Sequence, residues 1–143
     1  MKSYKKQGHC VYYAKYHIVT TTKYRRKVLK GGMGGYLKKC ILGVQRKYPE
    51  IQIEEVNTDE DHMHVLVSIP PKMSVSHVVN LIKSNTGRIM RKRFRFLDQV
   101  YRDEPGIWSI GYFVSTVGID EETIQRYIEY QGREDSGQVQ LEF

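Results

Sequence analysis

His62 and His64 flank Met63 in the run Asp61-His62-Met63-His64-Val65-Leu66-Val67-Ser68-Ile69-Pro70. Side chains alternate between faces along an extended strand, so both imidazoles project from one side while Met63 and Val65 point to the other. Two imidazoles on one rigid strand make a metal clamp. Far along the chain, the stretch from Asp120 to Gln131 carries Tyr127 and Gln131, which helical spacing sets one turn apart on one face. A hydroxyl nucleophile and a further oxygen ligand thereby share a side.

A tyrosine phenol titrates near ~10, so its attack on a phosphodiester at neutral pH is helped by a cation that polarises the phosphate and stabilises developing charge. His62 and His64 supply nitrogen ligands for it, and positions left open are what a catalytic site needs. Two imidazoles alone also suit zinc, so ligand type leaves the metal open. Asp61 reads either as an outer partner orienting a histidine or as a turn former. Tyr130 lies about 300° around the helix from Tyr127, on a different line from Gln131, and ranks below it as nucleophile.

A competing reading needs no chemistry. Tyr127 falls on the apolar stripe Ile124-Tyr127-Ile128-Gln131 and would be a core tyrosine, with both histidines as sheet residues of a non-catalytic ferredoxin-like nucleic-acid-binding module.

The elements that position these groups follow from hydrophobic period. Val11 to Thr22 is rich in Tyr, Val, Ile and Thr and predicts a strand. His17 within it is either a sheet histidine satisfied by a backbone partner or a DNA contact near the site, and is not counted as a ligand. Gly31-Gly32-Met33-Gly34-Gly35 predicts a flexible connection, with a helix starting near Tyr36 and ended by Pro49. Leu37, Cys40, Ile41, Val44 and Tyr48 give that helix an apolar stripe. Ile51, Ile53 and Val56 mark a strand, and Asn57-Thr58-Asp59-Glu60 turns it into the histidine strand, a hairpin that sets the metal strand centrally.

Ser74 or Ser76 caps a helix with apolar Val75, Val78, Val79, Ile82, Ile89 and Met90. Its other face carries Lys83, Ser84, Asn85, Arg88, Arg91 and Lys92, either solvated or set to hold a DNA backbone. Ile107 to Val117 predicts a strand, Asp120 caps the last helix, and Gly132 is its natural stop. In the tail, 132–143, Val139, Leu141 and Phe143 alternate as for an edge strand. The order strand, helix, strand, strand, helix, strand, helix predicts one α+β domain spanning 1–143, helices packed on an antiparallel sheet.

Lys and Arg number 23 against 16 Asp and Glu, a net charge of +7. Basic clusters at Lys23 to Lys30 and Arg88 to Arg95 point to a polyanion, with a solvated basic face as the plainer alternative. Lys23, Tyr24, Arg25 and Arg26 interleave a ring with cations, a combination that stacks a base while neutralising phosphates. Cys10 and Cys40 have no paired spacing and are expected as free thiols. The polar start and the lack of any apolar run of membrane-spanning length predict a cytoplasmic protein.

Taken with Tyr16-His17-Ile18-Val19, Thr22-Lys23-Tyr24-Arg25-Arg26 and Gly111-Tyr112-Phe113-Val114-Ser115-Thr116-Val117-Gly118, these motifs resemble the single-tyrosine HUH transposases of the small, IS200-like insertion sequences. The resemblance spans nearly the whole chain. It implies a ferredoxin-like HUH fold that acts on single-stranded DNA with hairpin ends, and Mg2+ or Mn2+ held by His62, His64 and Gln131. It further implies that Tyr127 forms a 5′-phosphotyrosine and releases a 3′-hydroxyl that later rejoins strands, with no nucleotide cofactor. DNA contacts are expected at Lys23, Tyr24, Arg25, Arg26, Lys83, Asn85, Arg88 and Arg91. The resemblance also implies a homodimer in which the last helix, about 120–131, is mobile at Gly118 or exchanged between partners. A host-adopted relative that processes chromosomal palindromes is an alternative within the same chemistry.

Overall fold

A computed structural model describes residues 4–137. A small hairpin pairs β1 (Lys5–Gln7) with β2 (Cys10–Tyr12). The main sheet contains β3 (Lys15–Thr21), β4 (Gln52–Thr58), β5 (His62–Ser68) and β6 (Phe113–Ser115) in the order β4-β5-β3-β6, all antiparallel. Helices α1 (Met33–Lys47) and α2 (Val75–Arg93), the single turn α3 (Leu97–Val100) and α4 (Glu121–Asp135) complete the α+β fold. The histidine strand is central, as the hairpin pattern predicts.

Alternation along β5 divides the molecule into two cores. Met63, Val65 and Val67 are buried in one cluster with Ile18 of β3, Leu37, Ile41 and Val44 of α1, and Val78, Val79 and Ile82 of α2. The opposite face of the sheet carries a smaller cluster in which Val19 of β3 meets Ile124, Tyr127 and Ile128 of α4. Directly paired residues in an antiparallel ladder point to the same face. His64 pairs with Val19 and His62 with Thr21, so both imidazoles lie on the α4 side.

The structure corrects several sequence expectations. The strand predicted from Val11 to Thr22 is broken after Tyr12, and its first part pairs with β1 instead of joining the main sheet. Helix α1 begins at Met33, not Tyr36, and takes in Gly34 and Gly35. At Gly34 the reason is packing: a Cβ there would stand 2.7 Å from Thr58 Oγ1, so glycine lets the helix lie close on β4. Gly132 does not stop α4, which runs on to Asp135. Here a Cβ would meet Arg25 Cδ at 2.3 Å, and glycine admits that side chain against the helix. The tail is therefore helical at its start, while the alternating Val139, Leu141 and Phe143 lie outside the described residues. Ser74, not Ser76, caps α2, accepting from His77 N–H at 3.1 Å. Asp120 caps α4 as expected, accepting from Thr123 N–H at 2.8 Å.

The strand predicted over Ile107 to Val117 shrinks to the three residues of β6, with Trp108 left as an isolated bridge to Thr22. Lys83 supplies the cause. Its ammonium donates to the carbonyls of Ser109, Ile110 (3.0 Å) and Gly111 (3.2 Å), taking the acceptors a strand would have offered a neighbour. Burial draws Lys83 down to about 8, against the pull of Asp135, and it is still an ammonium at neutral pH. Lys83→Met leaves those acceptors without a donor and is expected to lower unfolding free energy by about 2 kcal/mol, read by urea titration.

Candidate active site

His62 Nδ1 donates to Asp61 Oδ1 at 2.9 Å, and Arg25 Nε stands 3.6 Å from the other carboxylate oxygen. Asp61 is thus an orienting partner as well as a turn residue, its backbone carbonyl accepting from Thr22 N–H at 2.9 Å. The contact turns His62 Nε2 away from Asp61 and leaves it as the ring nitrogen able to accept. His64 Nε2 shares a proton with His17 Nδ1 across 3.0 Å. His17 therefore finds its partner in a ring of the site, not in the backbone. Burial, followed by the neighbouring His17, holds His64 below the ordinary histidine value, so at neutral pH it is uncharged and keeps a lone pair.

The stripe Ile124-Tyr127-Ile128-Gln131 is buried as its spacing predicts. Tyr127 is 4% exposed, its ring 5.8 Å from that of Phe113 on β6, and Gln131 is 2% exposed. Tyr127 Oη donates to Gln131 Oε1 at 3.2 Å, and Gln131 Nε2 donates to Asp135 Oδ1 at 3.1 Å. Burial raises the Tyr127 phenol well above its ordinary range, and the charges of Asp135 and Glu134 add to this. Ionising it therefore requires positive charge from elsewhere. Tyr130 is only half-buried and lies at the margin of the cluster.

Gly111 closes the floor beneath Gln131. A Cβ at this position would lie 2.5 Å from Gln131 Oε1 and 3.5 Å from Tyr127 Oη. Gly111→Ala should displace the Gln131 amide and lower stability by about 1–3 kcal/mol, seen as a lower thermal midpoint than wild type.

Among the described residues, no three His, Cys, Asp or Glu side chains gather as a metal-binding group. Gln131 lies on α4, the helix that packs on the side of the sheet bearing His62 and His64. Two imidazoles and an amide oxygen are a donor set that fits a divalent cation while leaving positions for phosphate and water.

The expected DNA-contact residues fall in two places. In the turn Lys23–Arg25, Tyr24 (φ 60) and Arg25 (φ 53) adopt left-handed backbone. Tyr24 N–H donates to Asp135 Oδ2 at 2.8 Å, and its hydroxyl donates to Glu104 at 3.0 Å. Lys23 pairs with Glu104 at 3.6 Å, and Arg26 stacks over the rings of Tyr24 and Tyr101 while donating to the Val100 carbonyl. On α2, Asn85 donates to the Leu81 carbonyl and Arg91 pairs with Asp98 at 3.1 Å, while Arg88 is exposed. Lys23, Lys83, Arg88 and Arg91 together line a cavity of ≈ 650 Å³ beside Trp108 and Ile110. Lys83 and Arg91 thus carry structural bonds as well as charge.

Sequence reasoning missed Ser109 and Asp135 as members of this site, and set His17 near it only as an alternative to a sheet histidine. Asp135 had a signal, since it stands four residues beyond Gln131, itself four beyond Tyr127; ending the helix at Gly132 hid it.

The site thus sets paired histidines on the central strand of an antiparallel sheet in an α+β fold, faced by a helix bearing a tyrosine and a glutamine. A family model described as "Transposase IS200 like" matches residues 10–131. The transposase for insertion sequence element IS200 of Salmonella typhimurium is 36% identical over 141 residues, covering 96% of this chain and 89% of the relative. The ISDra2 transposase TnpA of Deinococcus radiodurans is 28% identical over 124 residues, covering 85% and 86%. A transposase crystal structure from Deinococcus radiodurans is similar with TM-score 0.76 at 28% identity, covering 89% of this chain and 97% of its own. The structure of a REP-associated tyrosine transposase bound to a REP hairpin shares the fold with TM-score 0.52 at 16% identity, covering 94% and 76%. The chain belongs to the IS200-like transposase family, and so to the DNA-processing enzymes. No helix among the described residues is long and apolar enough to cross a membrane.

Proposed function

We propose that the chain cuts and rejoins single-stranded DNA at hairpin-marked element ends through a 5′-phosphotyrosine on Tyr127. The carrying observation is that His62, His64, Tyr127 and Gln131 all lie on one face of the sheet. Tyr127 Oη forms a bond to phosphorus as the bond from phosphorus to the 3′-oxygen breaks. The phenol loses its proton and the departing 3′-oxygen gains one, so the phosphodiester energy is kept in the protein linkage and no nucleotide cofactor is consumed.

His62, His64 and Gln131 would hold Mg2+ or Mn2+, which when bound would supply Lewis-acid polarisation of the phosphate. The chain's own residues do the positioning. Asp61 orients His62, burial keeps His64 neutral, and Gln131 Oε1 holds the Tyr127 hydroxyl in place. The basic cavity of α2 and the turn Lys23–Arg25 are the proposed DNA surface. A homodimer fits the open edge of β6, where Val114 and the following Val117 are exposed.

The competing non-catalytic module draws on the burial of Tyr127. The two readings part in one assay. Full-length protein is incubated with single-stranded hairpin oligonucleotides and Mn2+ or EDTA. The proposal expects a protein–DNA adduct that survives denaturation only with Mn2+; binding with no adduct under any metal supports the module.

A further inference from the structure

We propose that Asp135 is a positioning residue that decides which way round the Gln131 amide sits, presenting its oxygen to Tyr127 and the histidine face. The inference rests on the proposed role of Gln131 as a ligand. A carboxylate in the last turn of a helix opposes the helix dipole, so its tertiary contacts must offset that cost. Asp135 has them from two other segments: Oδ2 accepts from Tyr24 N–H and from Ser109 Oγ–H. The turn holding Tyr24 is left-handed, and the Ser109 carbonyl is gripped by Lys83. The carboxylate is therefore held by contacts that do not involve Gln131.

Its free oxygen, Oδ1, then imposes a choice. An ionised carboxylate only accepts hydrogen bonds, so the group facing it must be the Gln131 NH2. The amide oxygen consequently points the other way, to 3.2 Å from Tyr127 Oη. Ser109 Oγ, Asp135, Gln131 and Tyr127 form a single hydrogen-bonded chain ending at the proposed nucleophile, and Lys83 holds the Ser109 backbone beside it.

Asp135→Asn reverses the choice. Tyr24 N–H and Ser109 Oγ–H claim the Asn oxygen, its NH2 faces Gln131, and the Gln131 oxygen is drawn away from Tyr127. Activity alone is a poor readout, because losing the Asp135 charge also eases ionisation of Tyr127. Mn2+ affinity, by calorimetry on the full chain, is the direct one. Asp135→Asn should weaken it by about tenfold or more, the usual cost of losing an orienting partner. Adding Gln131→Glu should restore it, since a carboxylate offers an oxygen in both directions.

An Asp135→Asn protein with wild-type Mn2+ affinity, while Gln131→Ala loses it, overturns the inference and leaves Gln131 as a ligand. Failure of Gln131→Glu to restore affinity overturns it too, assigning Asp135 a merely structural part. If His64→Ala weakens Mn2+ and Gln131→Ala does not, the ligand role of Gln131 falls and the inference with it. A measurement on metal-free wild type is independent of any variant's folding: the Gln131 side-chain NH2 should exchange more slowly than that of the exposed Gln99. Equal exchange overturns the inference.

Discussion

Tyr127→Phe is expected to abolish covalent capture of single-stranded DNA, a loss of at least ~10³-fold in adduct formation, because it deletes the atom proposed to bond phosphorus. The fold should tolerate it. Phenylalanine keeps the ring against Phe113 and Val19 and removes the one donor to Gln131 Oε1, a loss of about 1 kcal/mol. Unchanged oligonucleotide binding with no adduct is the expected pair of results. Tyr130→Phe is the internal control. Tyr130 packs at the half-buried margin of the α4 cluster, and adduct formation should stay within about twofold of wild type, a difference of only ~0.4 kcal/mol in the barrier. Should Tyr130→Phe be the variant that loses the adduct, the nucleophile has been assigned to the wrong tyrosine.

His64→Ala should have the next largest effect, lowering both Mn2+ affinity and adduct yield by roughly 10²-fold or more, since half of the imidazole pair is gone. The cost to stability should be small. His64 is half-buried and its ring contact is to His17, so about 1 kcal/mol is at stake. His62→Ala should match it in metal affinity while disturbing the turn more, because Asp61 loses its 2.9 Å partner and keeps Arg25. Calorimetry with Mn2+ checks the affinities, and urea titration separates them from unfolding. Wild-type affinity in both variants would show that the pair holds no metal.

Strong local periods made much of this legible. The alternation of β5 told which residues enter the helical core and which face α4, and the four-residue spacing of Tyr127 and Gln131 put them on one buried stripe. What the sequence hid depends on distant partners. Lys83 read as a DNA contact on a basic helix face, yet it captures carbonyls 26 to 28 positions away and cuts short the strand that alternation predicted. The glycines were misread for a related reason. Gly34 and Gly132 look like breakers, but each lies inside a helix where Thr58 or Arg25 presses against the backbone. His17 faces His64 only because β3 pairs with β5 in one register, which no local pattern reveals.

The most direct test is to locate the adduct. Full-length protein trapped with a single-stranded hairpin oligonucleotide in Mn2+ is digested with nuclease and protease, and the nucleotide-bearing peptide is sequenced by mass spectrometry. The account predicts a 5′-linked nucleotide on Tyr127 that disappears with EDTA. A nucleotide on any other residue, or an adduct that forms equally well without metal, would contradict it.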